Sequence, residues 1–269
     1  MLPNFLLIGP GRSGSDWTVK NLQLHPQIYI PKQKSTRFFT DNYQRGNAWY
    51  EAFFAGRSEP RIGEASVGYL HSVDAASRIR SVLSEVKLIA NLRHPVDRAL
   101  SNHGRLRSLA EVGSPAALLG FEERLKSSPQ LIENGLYAKH LKRYYDLFPR
   151  EDILLLFFDD MVRNPRDYLA SIYRFLGVRE DFESPILSQR LNSTDALSIR
   201  SRSPFRYYLY RGLVKFNLFR TAEAVVANRP KPKRESLDPA FRRSLIERHF
   251  IRDIEELERL SGKDLASWK

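Results

Sequence analysis

The chain carries a short apolar run, residues 5–8, into Gly9-Pro10-Gly11-Arg12-Ser13-Gly14-Ser15-Asp16-Trp17. Small residues between a strand end and a helix start let successive backbone N–H groups close on an anion. The helix dipole favours negative charge at the same place. Arg12 adds a permanently charged fork of donors. A second basic strand end lies at Val86-Lys87-Leu88-Ile89-Ala90-Asn91-Leu92, which passes into Arg93-His94-Pro95-Val96-Asp97-Arg98-Ala99-Leu100-Ser101. Arg93 stands at the carboxyl end of that strand, the edge where ligands gather in open α/β sheets. With Pro95 opening a helix, Ser101 falls on its second turn, within reach of a phosphate that Arg93 also holds. Each segment has a plainer reading beside this one. The first is then an ordinary tight βα turn. The second is an Arg93–Asp97 ion pair with Ser101 in solvent.

The spacing of Gly9 and Gly14 is that of the triphosphate loop G-x-x-x-x-G-K-[ST]. The two residues that follow are wrong for it. Ser15 stands where a lysine must reach the terminal phosphates, and Asp16 where a hydroxyl must hold magnesium. A P-loop nucleotide kinase is the alternative these two residues disfavour. The chain has no Cys, which excludes a disulfide framework, thiolate zinc ligands and a thiol nucleophile. No H-x-x-x-H spacing occurs, and no metal is expected.

These loops need a scaffold. Short apolar runs at 5–8, 28–30, 62–65, 87–92 and 153–157 read as strands, several of them apolar on both faces. Helical periodicity lies between them at 17–24, 73–83, 136–147 and 168–176. Ser236 and Asp238 before Pro239 open a last helix whose apolar residues recur through Leu245, Ile254, Leu257 and Leu260. The alternation argues an α/β fold with a central parallel sheet flanked by helices. At 269 residues the chain is expected to form a single domain, 1–269.

Taken together, the two basic loops resemble the phosphate-binding signatures of sulfotransferases that use 3′-phosphoadenylyl sulfate (PAPS). Arg12, Ser13, Gly14 and Ser15 match a first pattern P-[KR]-x-G-[ST]-T. Leu92, Arg93, Pro95, Arg98, Ala99 and Ser101 match a second, L-R-[ND]-P-x-x-R-A-x-S. Lesser likenesses follow in family order. They are His25-Pro26, Lys32-Gln33-Lys34 before Phe38-Phe39, Trp49-Tyr50, Gly63-Glu64-Ala65-Ser66 with Tyr69-Leu70, Gly135-Leu136-Tyr137, Asp159-Asp160 and Leu237-Asp238-Pro239. In style the chain is similar to the carbohydrate and heparan sulfotransferases.

The resemblance implies a P-loop-kinase-like fold and transfer of a sulfuryl group from PAPS to a hydroxyl or amine of a carbohydrate, lipid or small metabolite. The product nucleotide is adenosine 3′,5′-bisphosphate (PAP), and no metal is needed. It implies that Arg12 and Lys34 stabilise charge at the reacting centre. Backbone from Ser13 to Trp17, with Ser15 and Asp16 between, is to cradle the phosphosulfate. Arg93 and Ser101 are to hold the 3′-phosphate, Tyr137 to line the nucleotide, and Lys231, Lys233 and Arg234 to cover it. Two departures stand out. Asp16 replaces a hydroxyl residue beside an anion, which calls for a cation such as Lys20. In Lys34-Ser35-Thr36-Arg37-Phe38-Phe39, Ser35 takes the place of the acid that heparan-type members are thought to use as base. A serine is no base at neutral pH. Glu64 is the expected substitute, with His94 or His103 as alternatives; Glu64 has the competing role of a partner for Arg12 or Lys34.

Net charge bears on a different part of the chain. Of the formal +12, the stretch 196–234 supplies +9, from ten basic residues against Glu223 alone. Within it, Phe205, Leu209, Leu213 and Phe216 share one helical face. That face suits burial on the core, a wall for an anionic acceptor, or a membrane-surface contact through 205–220. No nucleic-acid module is recognised, so no specific nucleic acid is expected. The other class left open is a catalytically weak nucleotide-binding protein with a membrane or polyanion partner. No apolar run is long enough for a leader or a span, and a cytoplasmic protein is expected.

Overall fold

The computed structural model describes residues 1–33, 35–109, 118–189, 208–209, 212–213, 216 and 236–269. Five parallel strands form the sheet: β1 (Phe5–Gly9), β2 (Ile28–Tyr29), β3 (Arg61–Ala65), β4 (Lys87–Leu92) and β5 (Ile153–Phe157). Their order is β2-β3-β1-β4-β5, so the chain winds one way from β1 and then returns to the other side. Such a reversal opens a crevice at the carboxyl ends of the central strands. The sequence placed all five strands and their parallel sense. β1 is buried along its whole length, as a strand covered on both faces must be. Phe5 pairs with Gly63 on β3, and the Phe5 ring fills the space a Cβ at Gly63 would need.

The described chain gathers into two compact units. The first holds residues 1–94, 136–189 and 250–269, and contains the sheet. Its helices include α1 (Ser15–Leu22), α2 (Gly46–Glu51) and α3 (Ala75–Val82). The second unit begins with α4 (Pro95–Leu109), α5 (Phe121–Ser127) and α6 (Gln130–Glu133). Back in the first unit come α7 (Tyr137–Tyr145), α8 (Phe158–Arg163) and α9 (Pro165–Leu176). α9 starts three residues before the periodic pattern does. Asn164 caps it by accepting from the Asp167 N–H at 3.2 Å, and Pro165 supplies the first helical position.

The sequence reads one last helix from Pro239. The structure divides it into α10 (Pro239–Leu245), a π-helical turn (Ile246–Phe250) and α11 (Ile251–Ser261). The chain passes from the second unit to the first at the end of that turn. Asp238 caps α10 through the Phe241 N–H at 2.9 Å, as the sequence led one to expect. Asp253 of α11 accepts from the Ala138 and Lys139 N–H groups at 3.1 and 3.0 Å, closing the open start of α7. No helix among the described residues is long and apolar enough to cross a membrane.

Candidate functional site

Two loops lie side by side at the carboxyl edge of the sheet, one after β1 and one gathered around the end of β3. The first is a backbone device. Arg12 takes a left-handed conformation, φ 74°, and Gly14 follows at φ 87°. A side chain other than glycine rarely occupies that region, and holding one there costs about 1 kcal/mol or more. Gly14 has no alternative. A Cβ there would lie 2.8 Å from the Met161 sulfur and 3.3 Å from the Phe158 ring. α1 begins at Ser15, two residues earlier than its apolar pattern, with no side chain capping it. Its first N–H groups therefore lie outside the helical ladder. The Ser13 hydroxyl is fully buried with no hydrogen-bond partner, which is costly unless a ligand supplies one. Left-handed backbone, an uncapped helix start and an orphaned hydroxyl fit a phosphate-like anion.

Arg93 directly follows β4, beside this loop. It donates to the Arg12 carbonyl at 3.2 Å, and its guanidinium lies 4.5 Å over the Phe158 ring. The Tyr137 hydroxyl donates to the Arg93 carbonyl at 2.7 Å, and Tyr137 is buried. Tyr137 thus acts as a strut behind Arg93, next to the loop that the expected nucleotide contact would face. Trp17 is also buried, edge-on to Tyr168 at 6.1 Å, so only its backbone is available to an anion. Trp268 closes the rear, packing on Tyr137, Phe157 and His94 and donating to Asp159 at 2.9 Å.

A buried polar triad anchors the loop from below, and the sequence reading missed it. Asn91 of β4 donates to the Thr18 hydroxyl at 2.9 Å and to the Tyr168 hydroxyl. Thr18 in turn reaches the Gly14 carbonyl at 3.3 Å. The available signal was Asn91 itself, an amide in an otherwise apolar strand, which requires partners.

The second loop is built around Glu64, which is fully buried at the end of β3. One carboxylate oxygen accepts from the Thr36 N–H at 2.9 Å, the Thr36 hydroxyl at 2.6 Å and the Ser66 hydroxyl at 3.0 Å. The other accepts from Tyr69 and, at 3.3 Å, from Tyr50. The hydroxyls are oriented in turn. Thr36 Oγ1 accepts from the Phe38 N–H at 3.2 Å, Ser66 Oγ from Arg37 at 3.0 Å, and the Tyr69 oxygen from Phe39 at 3.3 Å. Four successive N–H groups, 36 to 39, are thus bound directly or through one hydroxyl to a single carboxylate. The Phe38 ring stacks on Tyr50 at 4.3 Å, and Phe39 packs edge-on to Tyr69. Burial pushes the Glu64 carboxyl above the usual range, and the hydrogen bonds from Thr36, Tyr69 and Ser66 oppose that shift. The two loops touch through Val67. A Cβ on Gly9 would strike the Val67 carbonyl, and one on Gly11 would lie 3.4 Å from its side chain.

The structure sorts the remaining expected residues. Ser101 is in the second turn of α4, in the second unit. There Arg98 is buried and donates to the Leu131 carbonyl, while Asp97 pairs with Arg242 at 2.5 Å. His94 is buried against Trp268, and His103 is fully buried against Phe121. Lys34, Lys231, Lys233 and Arg234 lie outside the described residues, as does most of 196–234; of the aromatic stretch 205–220 only 208–209, 212–213 and 216 are described, with Tyr208, Leu209 and Phe216 exposed.

With this geometry established, known proteins offer a comparison. A family model described as "Sulfotransferase domain" matches residues 2–202. The mouse "Bifunctional heparan sulfate N-deacetylase/N-sulfotransferase 3" is 30% identical over 289 aligned residues, covering 99% of this chain and 31% of that protein. The mouse "Heparan sulfate glucosamine 3-O-sulfotransferase 3A1" is 29% identical over 183 residues, 66% of this chain and 46% of its own length. The chain therefore spans about a third of the first relative and under half of the second. A crystal structure of a sulfotransferase from Alicyclobacillus acidocaldarius superposes with a TM-score of 0.74 at 26% identity, covering 100% of this chain and 99% of that one.

Proposed function

Since the chain belongs to the sulfotransferase family, we propose that it transfers a sulfuryl group from PAPS to an amine or hydroxyl of a glucosamine-containing carbohydrate. PAPS is the family's donor and PAP its product. The single observation that carries the reading is the loop after β1, with its left-handed Arg12 and Gly14, its uncapped helix start and the orphaned Ser13 hydroxyl. These groups would hold the phosphosulfate. Arg12 would neutralise charge on the leaving phosphate, and Arg93 would take the 3′-phosphate. Lys34 would assist at the transferred group, and Lys231, Lys233 and Arg234 would cover the nucleotide. The chemistry asks for positioning and for charge stabilisation. The acceptor class rests on the names of the relatives. One names N-sulfation of heparan sulfate and another 3-O-sulfation of its glucosamine. Heparan sulfate is common to both, and the second names its glucosamine.

Two measurements test this. PAP without magnesium is expected to raise the melting temperature, while ATP with magnesium leaves it near the ligand-free value. The reverse pattern supports a kinase instead. Labelled sulfate from PAPS is expected to appear on heparosan oligosaccharides, either N-acetylated or N-deacetylated. Transfer to neither, with PAP bound tightly, removes the carbohydrate reading.

A further inference from the structure

We propose that Ser35 and Ser66 form a proton relay that carries the acceptor's proton to the buried carboxylate of Glu64. The proposal rests on the sulfotransferase reading above and concerns the step that reading leaves without a base. Ser35 Oγ lies 3.1 Å from Ser66 Oγ, and Ser66 Oγ lies 3.0 Å from the Glu64 carboxylate. The direction of the chain is fixed by its neighbours. Ser66 gives its own proton to Glu64, while its oxygen accepts from the Arg37 N–H at 3.0 Å. The Ser35 hydroxyl is then the donor to Ser66. The lone pairs of Ser35 remain for a proton arriving from outside. Ser35 is half-exposed, whereas Ser66 and Glu64 are buried. The relay therefore runs from the surface inward. Val67, the next residue after Ser66, packs on Gly9 and Gly11 of the loop after β1, which sets the Ser66 step of the relay next to that loop.

The step balances. The acceptor's O–H or N–H bond breaks and its proton goes to Ser35 Oγ. The Ser35 proton moves to Ser66, and the Ser66 proton to Glu64. The freed electron pair forms the new bond to sulfur. The bond from sulfur to the bridging oxygen breaks, and that pair leaves on the phosphate of PAP. Glu64 ends protonated and returns its proton to water by the same route. A carboxyl raised above its usual range by burial is a better proton acceptor than an exposed one. Tyr50 and Tyr69, the other titratable groups in contact with Glu64, are both raised by burial and stay protonated throughout. The arrangement also accounts for the serine in the acid's place, since the carboxylate lies two hydroxyls deeper.

The experiment uses the full chain, labelled PAPS and the heparosan oligosaccharides. Ser35→Ala is expected to lower kcat about 100-fold, the scale of general-base catalysis. KM for PAPS should stay within about twofold, since PAPS is held by the other loop. Glu64→Gln should show the same split. Ser35→Glu in the Glu64→Gln background should restore kcat to within about tenfold of the wild type, because a carboxylate then meets the acceptor directly. A merely structural Glu64 would not be rescued from position 35. Wild-type kcat in Ser35→Ala overturns the relay, as does a folded Glu64→Gln that Ser35→Glu fails to rescue. Should Glu64→Gln not fold, Ser35→Ala decides alone. Failure of the wild type to label either oligosaccharide overturns the carbohydrate reading and the relay with it. Wild-type transfer with unaffected variants overturns the relay only.

Discussion

The two loops at the sheet edge solve opposite problems with similar materials. Both are rich in small and hydroxyl residues. Around Glu64 every N–H from Thr36 to Phe39 is already committed, because the loop encloses its own anion. In the loop after β1 the helix start is uncapped and the Ser13 hydroxyl has no partner. One loop is satisfied by its own residues, and on the proposed reading the other is completed by a ligand. The closed loop should therefore contribute stability, and the open loop should cost stability and contribute binding.

Substitution in the open loop should separate activity from stability most sharply. Arg12→Gly removes the guanidinium but suits φ 74° better than arginine does. Sulfate transfer is expected to fall by roughly two to three orders of magnitude, as when a charge-stabilising donor is lost. The melting temperature should hold or rise, since about 1 kcal/mol of left-handed strain is relieved. A loss of activity accompanied by a lower melting temperature would make Arg12 part of the framework and blur the contrast.

The closed loop should show the reverse. Tyr69→Phe deletes a donor to a buried carboxylate and the acceptor for the Phe39 N–H. Denaturant unfolding should show a loss of about 2 kcal/mol, the scale of a hydrogen bond to a charged group with a neighbour left unpaired. PAP affinity should stay within about twofold. Tyr50→Phe removes only a 3.3 Å bond at the same carboxylate and should cost about 1 kcal/mol. If Tyr50→Phe costs as much as Tyr69→Phe, the 3.3 Å bond is worth as much as the Tyr69 one, because the ring stacked on Phe38 is kept in the variant.

The open loop was far more legible in the sequence than the closed one, and the reason is physical. Backbone cradles demand glycine and small residues in fixed order, so Gly9, Gly14 and the helix start announce themselves. The five strands were legible for a similar reason, because burial on both faces forces continuous apolar runs. The Glu64 network joins residues 36, 50, 66 and 69; Ser66 and Tyr69 follow Glu64 closely in the chain, but no local spacing encodes its contacts with Thr36 and Tyr50. Only the topology that pairs β1 with β3 makes them neighbours of the phosphate loop. Glu64 was visible as an acid at a strand end, but its burial was not. Tyr137 was legible as a residue near the loop, but the bond from its hydroxyl to the Arg93 carbonyl was not, because it joins residues 44 apart in the chain. The π turn at Ile246–Phe250 also left no mark, since apolar residues on either side keep a helical period.

The finest difference between the loops lies in how stability varies with pH. Glu64 is raised in the folded protein, with burial as the largest cause, and returns to the ordinary glutamate range on unfolding. Between those two values the folded state holds a proton that the unfolded state has released. Stability must then fall as pH rises across that window. The contribution is fully present below the unfolded value and is lost once pH passes the folded one. Tyr50 and Tyr69 are raised as well, and neither titrates within the window. Glu64→Gln has no such proton to lose. The stability of the wild type relative to Glu64→Gln should therefore decline with rising pH and then level off. Urea titrations of both proteins across mildly acidic to neutral pH would read this directly. A difference that stays flat would mean that the five donors offset burial in full. A difference that grows with pH would mean that they outweigh it, so that the enclosed anion is held more tightly in the closed loop than in water.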